Sequence, residues 1–548
     1  MTVLDLGDPT TTSAWDATLV SGSDWLSIAT PNGTASQLRP GTLTLVPTAN
    51  AATLSAGGHY ALISVSDPGA INSPQYLIAV LDVAPATSLP LPDPSPGGLL
   101  FTTAASSPQN VTVFTSSVDP VAFHATAHTN DGNAWLAVTP ASGNASTAAP
   151  GKLSVSVTPG SLPVGIYYGK VHVSMNGAMR SVNVTLIITT AGAAGTGFVA
   201  RAAATCTASK LAVTETGMAD NFAVPAGWPA TLIVQVNDDC GNSIANASAV
   251  ATFSNGDPPI SLRGDLTSNV YSATWQPGVA QPEMTVTVRA SSASLAAAVQ
   301  QYSGSVNQNN SSPPSLVNNG ALHIFFNVPT ATALGAGLAP GNVAQVYGTG
   351  LASAAGQTVV PLPQQFNGTF MLIGSTQAPL FYVSDSLLNV MVPFELTPNR
   401  QYSLIVSANG ALTMPETIDV TSLQPGVAQF PDGTVIAQIS GTTRLITSTN
   451  PAKPGDNLTI YLAGMGPTTP PVASGDPTPL QLVPVNNQPT VTLDGQPVTY
   501  AYAGLTPTGI GLYQINLTVP ANAKPGNLDL VVSQNGVAAN TTKLPVSN

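Results

Sequence analysis

The sequence reads as all-β, a tandem array of two-layered β-sandwich domains, and three observations predict this. Apolar residues recur with a period of two. The 548 residues are interrupted by 49 Gly and 49 Pro, which leaves little room for long helices. The chain also repeats itself in units near the size of one small sandwich.

The period is explicit at several places. Val171, Val173 and Met175 alternate with Lys170, His172 and Ser174; Leu232, Val234 and Val236 alternate with Ile233, Gln235 and Asn237; Tyr513, Ile515, Leu517 and Val519 alternate with Gln514, Asn516 and Thr518. Each run describes a half-buried antiparallel strand, with one face on a core and one toward water. Many such strands, separated by Pro and Gly turns, describe immunoglobulin-like sandwiches. One segment, SASLAAAVQQY from 292 to 302, fits a helix as well as it fits a strand or loop.

Two pairs of repeats set the domain organisation. Trp25-Leu26-Ser27-Ile28 returns as Trp135-Leu136-Ala137-Val138, Pro40-Gly41-Thr42-Leu43 as Pro150-Gly151-Lys152-Leu153, and Gly58-His59-Tyr60 lies over Gly165-Ile166-Tyr167. Further along, PGNVAQVYGTGLA from Pro340 lies over PGDNLTIYLAGMG from Pro454, NVMVP from Asn389 over NLTVP from Asn516, and VSANG from Val406 over VSQNG from Val532. Stretches 85–98, 189–197 and 307–315 read as linkers rich in Pro, Gly, Ser and Asn. The expected units are 1–88, 92–190, 205–306, 321–424 and 425–548, joined by short stiff linkers into a rod.

Composition excludes several function classes. Thirteen Lys and Arg against 25 Asp and Glu give a net charge of -12, which repels nucleic acid and anionic lipid surfaces. Although 43% of residues are hydrophobic, no apolar run is long enough to span a membrane as a helix. The opening MTVLDLGDPT has no signal-peptide pattern. In unit 2, GGLLFTTAASSPQNVTVF precedes VAFHAT, and laying SAWDAT over VAFHAT leaves the Leu99–Thr103 strand without a counterpart in unit 1. The expectation is a first unit lacking its first strand, in a natural polypeptide that extends upstream with that strand and a signal peptide. The alternative is closure by Val3 to Leu6 as an edge.

Residues 321–548, through PGNVAQVYGTGL, FYVSDSLLNVMVPFEL, NPAKPGDNLTIYLAGMGPTTPPVASGDP and GIGLYQINLTVPANAKPGNLDLVVSQNG, resemble the C-terminal domain of large secreted proteins of Solibacter-type acidobacteria. The opening of this region is also similar to the IPT/TIG branch of immunoglobulin-like folds. The N-terminal pair, with Trp-Leu-x-Ile/Val and the later Gly-x-Tyr, resembles BACON domains, named for a proposed link to carbohydrate binding. The middle unit, with NDDCGN and FSNGDPP, resembles a bacterial Ig-like domain. The resemblance implies a secreted or cell-surface protein and supplies no biochemical activity.

Candidate sites are few. Cys240 follows Asp238 and Asp239, whose charge raises a thiol pKa and blunts a nucleophile. Five scattered histidines (His59, His124, His128, His172 and His323) make no zinc set with the two cysteines. What remains is a Cys206–Cys240 disulfide, with two buried free thiols as the alternative. Strands near 210–216 and 231–237 would pair antiparallel, and the two cysteines are equidistant from residue 223. Such a bond persists outside the reducing cytosol.

Trp15, Trp25 and Trp135 are candidate ligand contacts, since aromatic faces stack on sugar rings. The competing assignment, which also covers Phe123, Trp228 and Trp275, is core packing. Asp238, Asp239 and Asp257 fit turn-forming residues better than a Ca²⁺ loop. His124 and His128 sit on a strand pattern and read as solvent-facing. No nucleophile elbow, zincin, P-loop or Rossmann glycine pattern occurs. The sequence thus leads us to expect a non-enzymatic, exported structural, adhesive or binding protein with no catalytic residues, metal or cofactor. Its partner would be polysaccharide or cell-surface material, and the alternative is a carbohydrate-binding protein acting through the BACON-like pair.

Overall fold

A computed structural model describes residues 1–5, 7, 11–103, 106–189, 206–264, 269–311, 313–323 and 337–548. The protein is all-β, a tandem array of immunoglobulin-like sandwiches, and among the described residues the one helical turn is a 3₁₀ segment, Ala49–Thr53. Part of the 189–197 linker lies outside the described residues. The 292–302 segment contributes to a strand, Ala298–Asn307.

Unit 2 shows the complete plan. One sheet runs Gly98–Thr102, Ala178–Ile188, Gly165–Met175, Val121–Thr129, Ser142–Ala145; the other runs Leu136–Thr139, Gly151–Val157, Gln109–Phe114, Asp93–Ser95. Val171, Val173 and Met175 point into the core between them. The segment 92–102 crosses the open side of the sandwich. Asp93–Ser95 pairs with one sheet and Gly98–Thr102 runs parallel to Ala178–Ile188 in the other. The end of the 85–98 linker, from Asp93, therefore belongs to the strands of unit 2.

Unit 1 repeats this plan in register. Trp15 faces Gly33 as Phe123 faces Gly143, and Ala17 faces Val65 as Ala125 faces Val173. Gly57 opposes Val83 as Gly165 opposes Ile188, so the counterpart of Gly165 is Gly57, one residue from the expected alignment. That slip matters, because neighbouring strand residues point to opposite faces. The four-stranded sheet is Asn32–Ala35, Ser13–Ser21, Gly57–Ser66, Gln75–Val83, and no described strand lies along the outer edge of Gln75–Val83. Thr2–Val3 instead pairs with Gly41–Thr42 in the other layer.

In unit 3, strand Ile260–Gly264 pairs with Ser248–Phe253 and with Val270–Trp275, joining the two layers into one continuous ladder. Units 4 and 5 repeat each other. Val343–Thr349 pairs with Leu387–Met391 as Asn457–Ala463 pairs with Tyr513–Thr518. Unit 4 begins with Ser315–His323, ahead of its expected start, so the 307–315 linker is shorter than its composition suggests. Asn409-Gly410 and Asn535-Gly536 both take positive φ, the two-residue turn whose twist matches a hairpin.

The array is not an extended rod. Unit 1 packs the outer face of its sheet on unit 4, where Leu62, Tyr60, Tyr76 and Ile78 meet Leu372, Ile405, Leu412 and Phe370. Trp228 of unit 3 donates its Nε1–H to the Tyr60 hydroxyl at 2.7 Å. Its ring lies so close to Gly58 that a Cβ there would come within 2.4 Å. Replacing Trp228 by Ala together with Leu412 by Lys is expected to open this contact. Small-angle scattering should then show a larger radius of gyration with an unchanged β circular-dichroism spectrum; an unchanged radius would contradict the contact.

Candidate functional site

Cys206 and Cys240 are bonded, with Cα atoms 5.7 Å apart. The strand register behind this differs from the symmetric one expected from sequence. Leu211–Glu215 pairs with Ala230–Asp238 so that Leu211 faces Asp238. The ladder ends there, and the Asp238–Asn242 turn folds Cys240 back. Asp238 Oδ1 accepts the Cys240 and Asn242 backbone N–H groups at 2.9 and 2.8 Å, and Oδ2 accepts Asn242 Nδ2 at 2.8 Å. Asp239 accepts the Ser209 N–H at 2.9 Å, and Asp257 accepts Trp275 Nε1–H at 2.9 Å. These three carboxylates organise loops, as turn residues do. Among the described residues no three His, Cys, Asp or Glu side chains converge as metal ligands.

The tryptophans are interior. Trp25 is 4% exposed and Trp135 is 2% exposed, so neither is a surface contact for a ligand. Trp135 donates Nε1–H to Asp131 at 3.1 Å. Trp275 packs in the core of unit 3, stacked on Phe253 at 4.6 Å. Trp228 is buried between units. His124 and His128 project to solvent from one strand.

Trp15 differs from the others. It is buried on Gly33 and Gly41, as Phe123 is on Gly143 and Gly151, yet its Nε1 has no hydrogen-bond partner among the described residues. It also lines a cleft of about 760 Å³ at the open side of unit 1, whose floor includes Val3, Leu43, Val65 and Leu77. Arg263 of unit 3 and Gln401 of unit 4 reach the same cleft. The loop Asp67–Pro74 overhangs it, at the position where unit 2 has the two-residue Asn176-Gly177 turn. This insertion, SDPGAINSPQ against SMNGAMR, is the difference between the two repeats in sequence that marks the cleft. The rim carboxylates are engaged locally: Asp5 accepts Gly7 N–H and Ser13 Oγ–H at 2.8 Å each, and Asp67 accepts Gly69 N–H at 2.8 Å.

A second polar cluster lies where units 2 and 3 meet. Backbone bonds join Ser181 to Asp220 in both directions at 2.9 and 2.8 Å, and Lys170 pairs with Asp220. Burial opposes the Asp220 charge, but hydrogen bonds from Lys170 and Ser303 hold its carboxyl below the usual range. Glu215 is fully buried. Its Oε1 accepts Met218 N–H at 2.6 Å, and its Oε2 has no partner among the described residues. Burial pushes its carboxyl up to about 8, with the Asp220 charge adding to the rise.

No protein-family model matches the chain, and no curated protein matches it. Among solved structures, the mixed-linkage glucan utilization locus protein SGBP-B of Bacteroides ovatus, in complex with a mixed-linkage heptasaccharide, is 13% identical. That match covers 60% of this chain and 67% of the other, with a TM-score of 0.26. The eight N-terminal Ig domains of Down Syndrome Cell Adhesion Molecule are 11% identical over 97% of this chain and 59% of the other, with a TM-score of 0.17. The fibronectin(III)-like modules of Clostridium thermocellum CbhA are 14% identical over 40% of this chain and 95% of the other, with a TM-score of 0.15. These likenesses concern the sandwich build and assign no residue a role.

Two outcomes follow from the buried groups. Non-reducing peptide mapping should recover the Cys206 and Cys240 peptides linked, and the double Ser variant should lose about 3–4 kcal/mol in unit 3, the entropy of a loop this long. Between pH 4.5, the ordinary Glu value, and about 8, the folded protein holds a proton on Glu215 that the unfolded chain releases, so stability falls as pH rises through that window. Glu215→Gln should flatten this dependence in thermal melts and raise stability at pH 8 by roughly 1–3 kcal/mol. A steeper dependence in the variant would contradict the assignment.

Proposed function

We propose that this chain is an exported binding or adhesive protein with no catalytic chemistry of its own. The cleft at the open side of unit 1 carries the reading. It is large enough for a ligand, its floor is apolar, and its rim carboxylates are held by their own loops, an arrangement suited to recognition. Export is supported by the Cys206–Cys240 bond, which the cytosol would reduce, and by the resemblance of 321–548 to a domain of secreted acidobacterial proteins. No helix among the described residues is long and apolar enough to cross a membrane.

The target under this reading is polysaccharide or other cell-surface material. A carbohydrate-specific role for the BACON-like pair is the second reading, favoured by the exposure of Phe114 and Tyr168 on unit 2, whose rings could stack on sugars in place of the buried tryptophans. Sedimenting the intact protein with insoluble cell-wall material and with a panel of polysaccharides tests both. Depletion from the supernatant without release of reducing ends is expected. Depletion by glycans that Phe114→Ala and Tyr168→Ala abolish would favour the second reading; no depletion, or hydrolysis, would refute the first.

A further inference from the structure

The junction of units 2 and 3 carries a groove of about 610 Å³, separate from the cleft of unit 1. Arg180 of unit 2 lines it together with Asn221, Ser254, Glu283, Ser303 and Ser305 of unit 3. Two irregularities of unit 3 shape it. The register between Gln281–Ser291 and Ala298–Asn307 slips between Gln281 and Met284, so Pro282 and Glu283 leave the ladder as a bulge, which re-aims their side chains. Strand Phe222–Pro225 runs parallel to Gly304–Asn307 at the end of the ladder and is entered through Asn221 at a φ of 62°. Arg180, partly buried, takes no part in the described ion pairs, Lys170–Asp220 and Lys543–Asp529. Its guanidinium makes one described hydrogen bond, from Nη1 to the neighbouring Met179 carbonyl at 3.4 Å. Burial opposes its charge, and the Asp93 carboxylate, which is not ion-paired with it, offsets this only in part.

A half-desolvated guanidinium with no matched partner is a receptor for an anion, and its planar fork fits a carboxylate. The hydroxyls around it keep hydrogen-bonding capacity. Ser254 Oγ accepts the Thr285 N–H at 2.8 Å and retains its own proton to donate; Ser303 Oγ donates to Asp220 and Ser305 Oγ to Asn307, each at 3.1 Å, and both retain lone pairs. We propose that this groove binds a uronic acid residue of a polysaccharide, with its carboxylate on Arg180 and its ring hydroxyls on Ser254, Ser303 and Ser305. The volume suits a small ligand, for which sites of about 300–1,000 Å³ are usual. Glu283, exposed on the bulge, accepts a sugar hydroxyl and repels a second carboxylate, so the ligand carries an isolated acid group and not a polyuronate run. The net charge of -12 counts little against such a ligand, because charges beyond about 8 Å are screened at physiological ionic strength. This second site does not rest on the cleft of unit 1.

Isothermal titration calorimetry of the intact protein with glucuronosyl-xylobiose, a uronate on two neutral sugars, tests it. Saturable binding with a Kd at or below about 1 mM is expected. Xylotriose, of the same size without the carboxylate, should bind at least about tenfold more weakly, a difference of 1.4 kcal/mol. Arg180→Gln should weaken binding by about tenfold or more with an unchanged circular-dichroism spectrum. Arg180→Lys, which keeps the charge and loses the fork, should fall between the two. Ser305→Phe fills the groove without altering the cation and should abolish binding. Absence of saturable binding overturns the proposal, as does equal affinity for xylotriose or an Arg180→Gln variant that binds like the parent. If the trisaccharide fails while insoluble cell-wall material still depletes the protein, the groove assignment falls and the binding reading stands.

Discussion

A two-layered sandwich has an open side where its sheets diverge, and apolar residues there must be covered or left half-wet. The units of this chain differ most in how they meet that constraint. Unit 2 lays the Pro92–Thr102 segment across the gap, one end paired with each sheet. Burying Leu99 and Phe101 contributes about 1.5–3 kcal/mol each by the usual area arithmetic. Unit 3 closes its gap with Ile260–Gly264, a strand shared by both layers, and pins the end of its first ladder with the disulfide. Among the described residues unit 1 shows neither device, and a cleft lies at this side of its sandwich.

The same segment that closes unit 2 also docks it. Gly97 N–H donates to Thr216 O at 2.9 Å, and a Cβ on Gly98 would come within 1.7 Å of the Glu215 carbonyl, so glycine is required for the strands of the two units to approach. Behind that contact sits Glu215, a carboxyl with one oxygen unpartnered among the described residues. A buried polar group left in this state costs stability. Its position, against the junction and beside Asp220, ties the pH response of unit 3 to the interface that holds unit 2.

Much of this was legible in the sequence. Strict alternation located the strands, the Trp-Leu and Pro-Gly repeats located the duplication, and laying SAWDAT over VAFHAT paired Trp15 with Phe123 as the register does, while the match at Gly58 ran one residue off. What escaped has identifiable reasons. The cysteine pairing was read from symmetry about residue 223, whereas the ladder runs three positions off that symmetry and the Asx turn makes up the difference. Trp228 looked like one more core indole, since no local pattern distinguishes a residue buried within a unit from one buried between units. The Asp67–Pro74 loop lies beyond Tyr60, the last residue matched between the two repeats, and a turn carries no periodicity to read.

The fold-back itself did leave a trace in the sequence. Strand Gly57–Ser66 contains Tyr60-Ala61-Leu62-Ile63, four apolar residues without alternation, and Ala61, Leu62 and Ile63 are all buried although they point to opposite faces. Ser403-Leu404-Ile405-Val406 in unit 4 behaves in the same way. Continuous apolar runs describe strands covered on both sides. A strand in a two-layered sandwich has only one side covered by its own unit, so each such run implies a second cover. In this chain the two runs cover one another. With only 7% of residues charged, few charged side chains are available to keep such faces apart. The scarcity of charge is thus the condition that lets one sandwich lie on another.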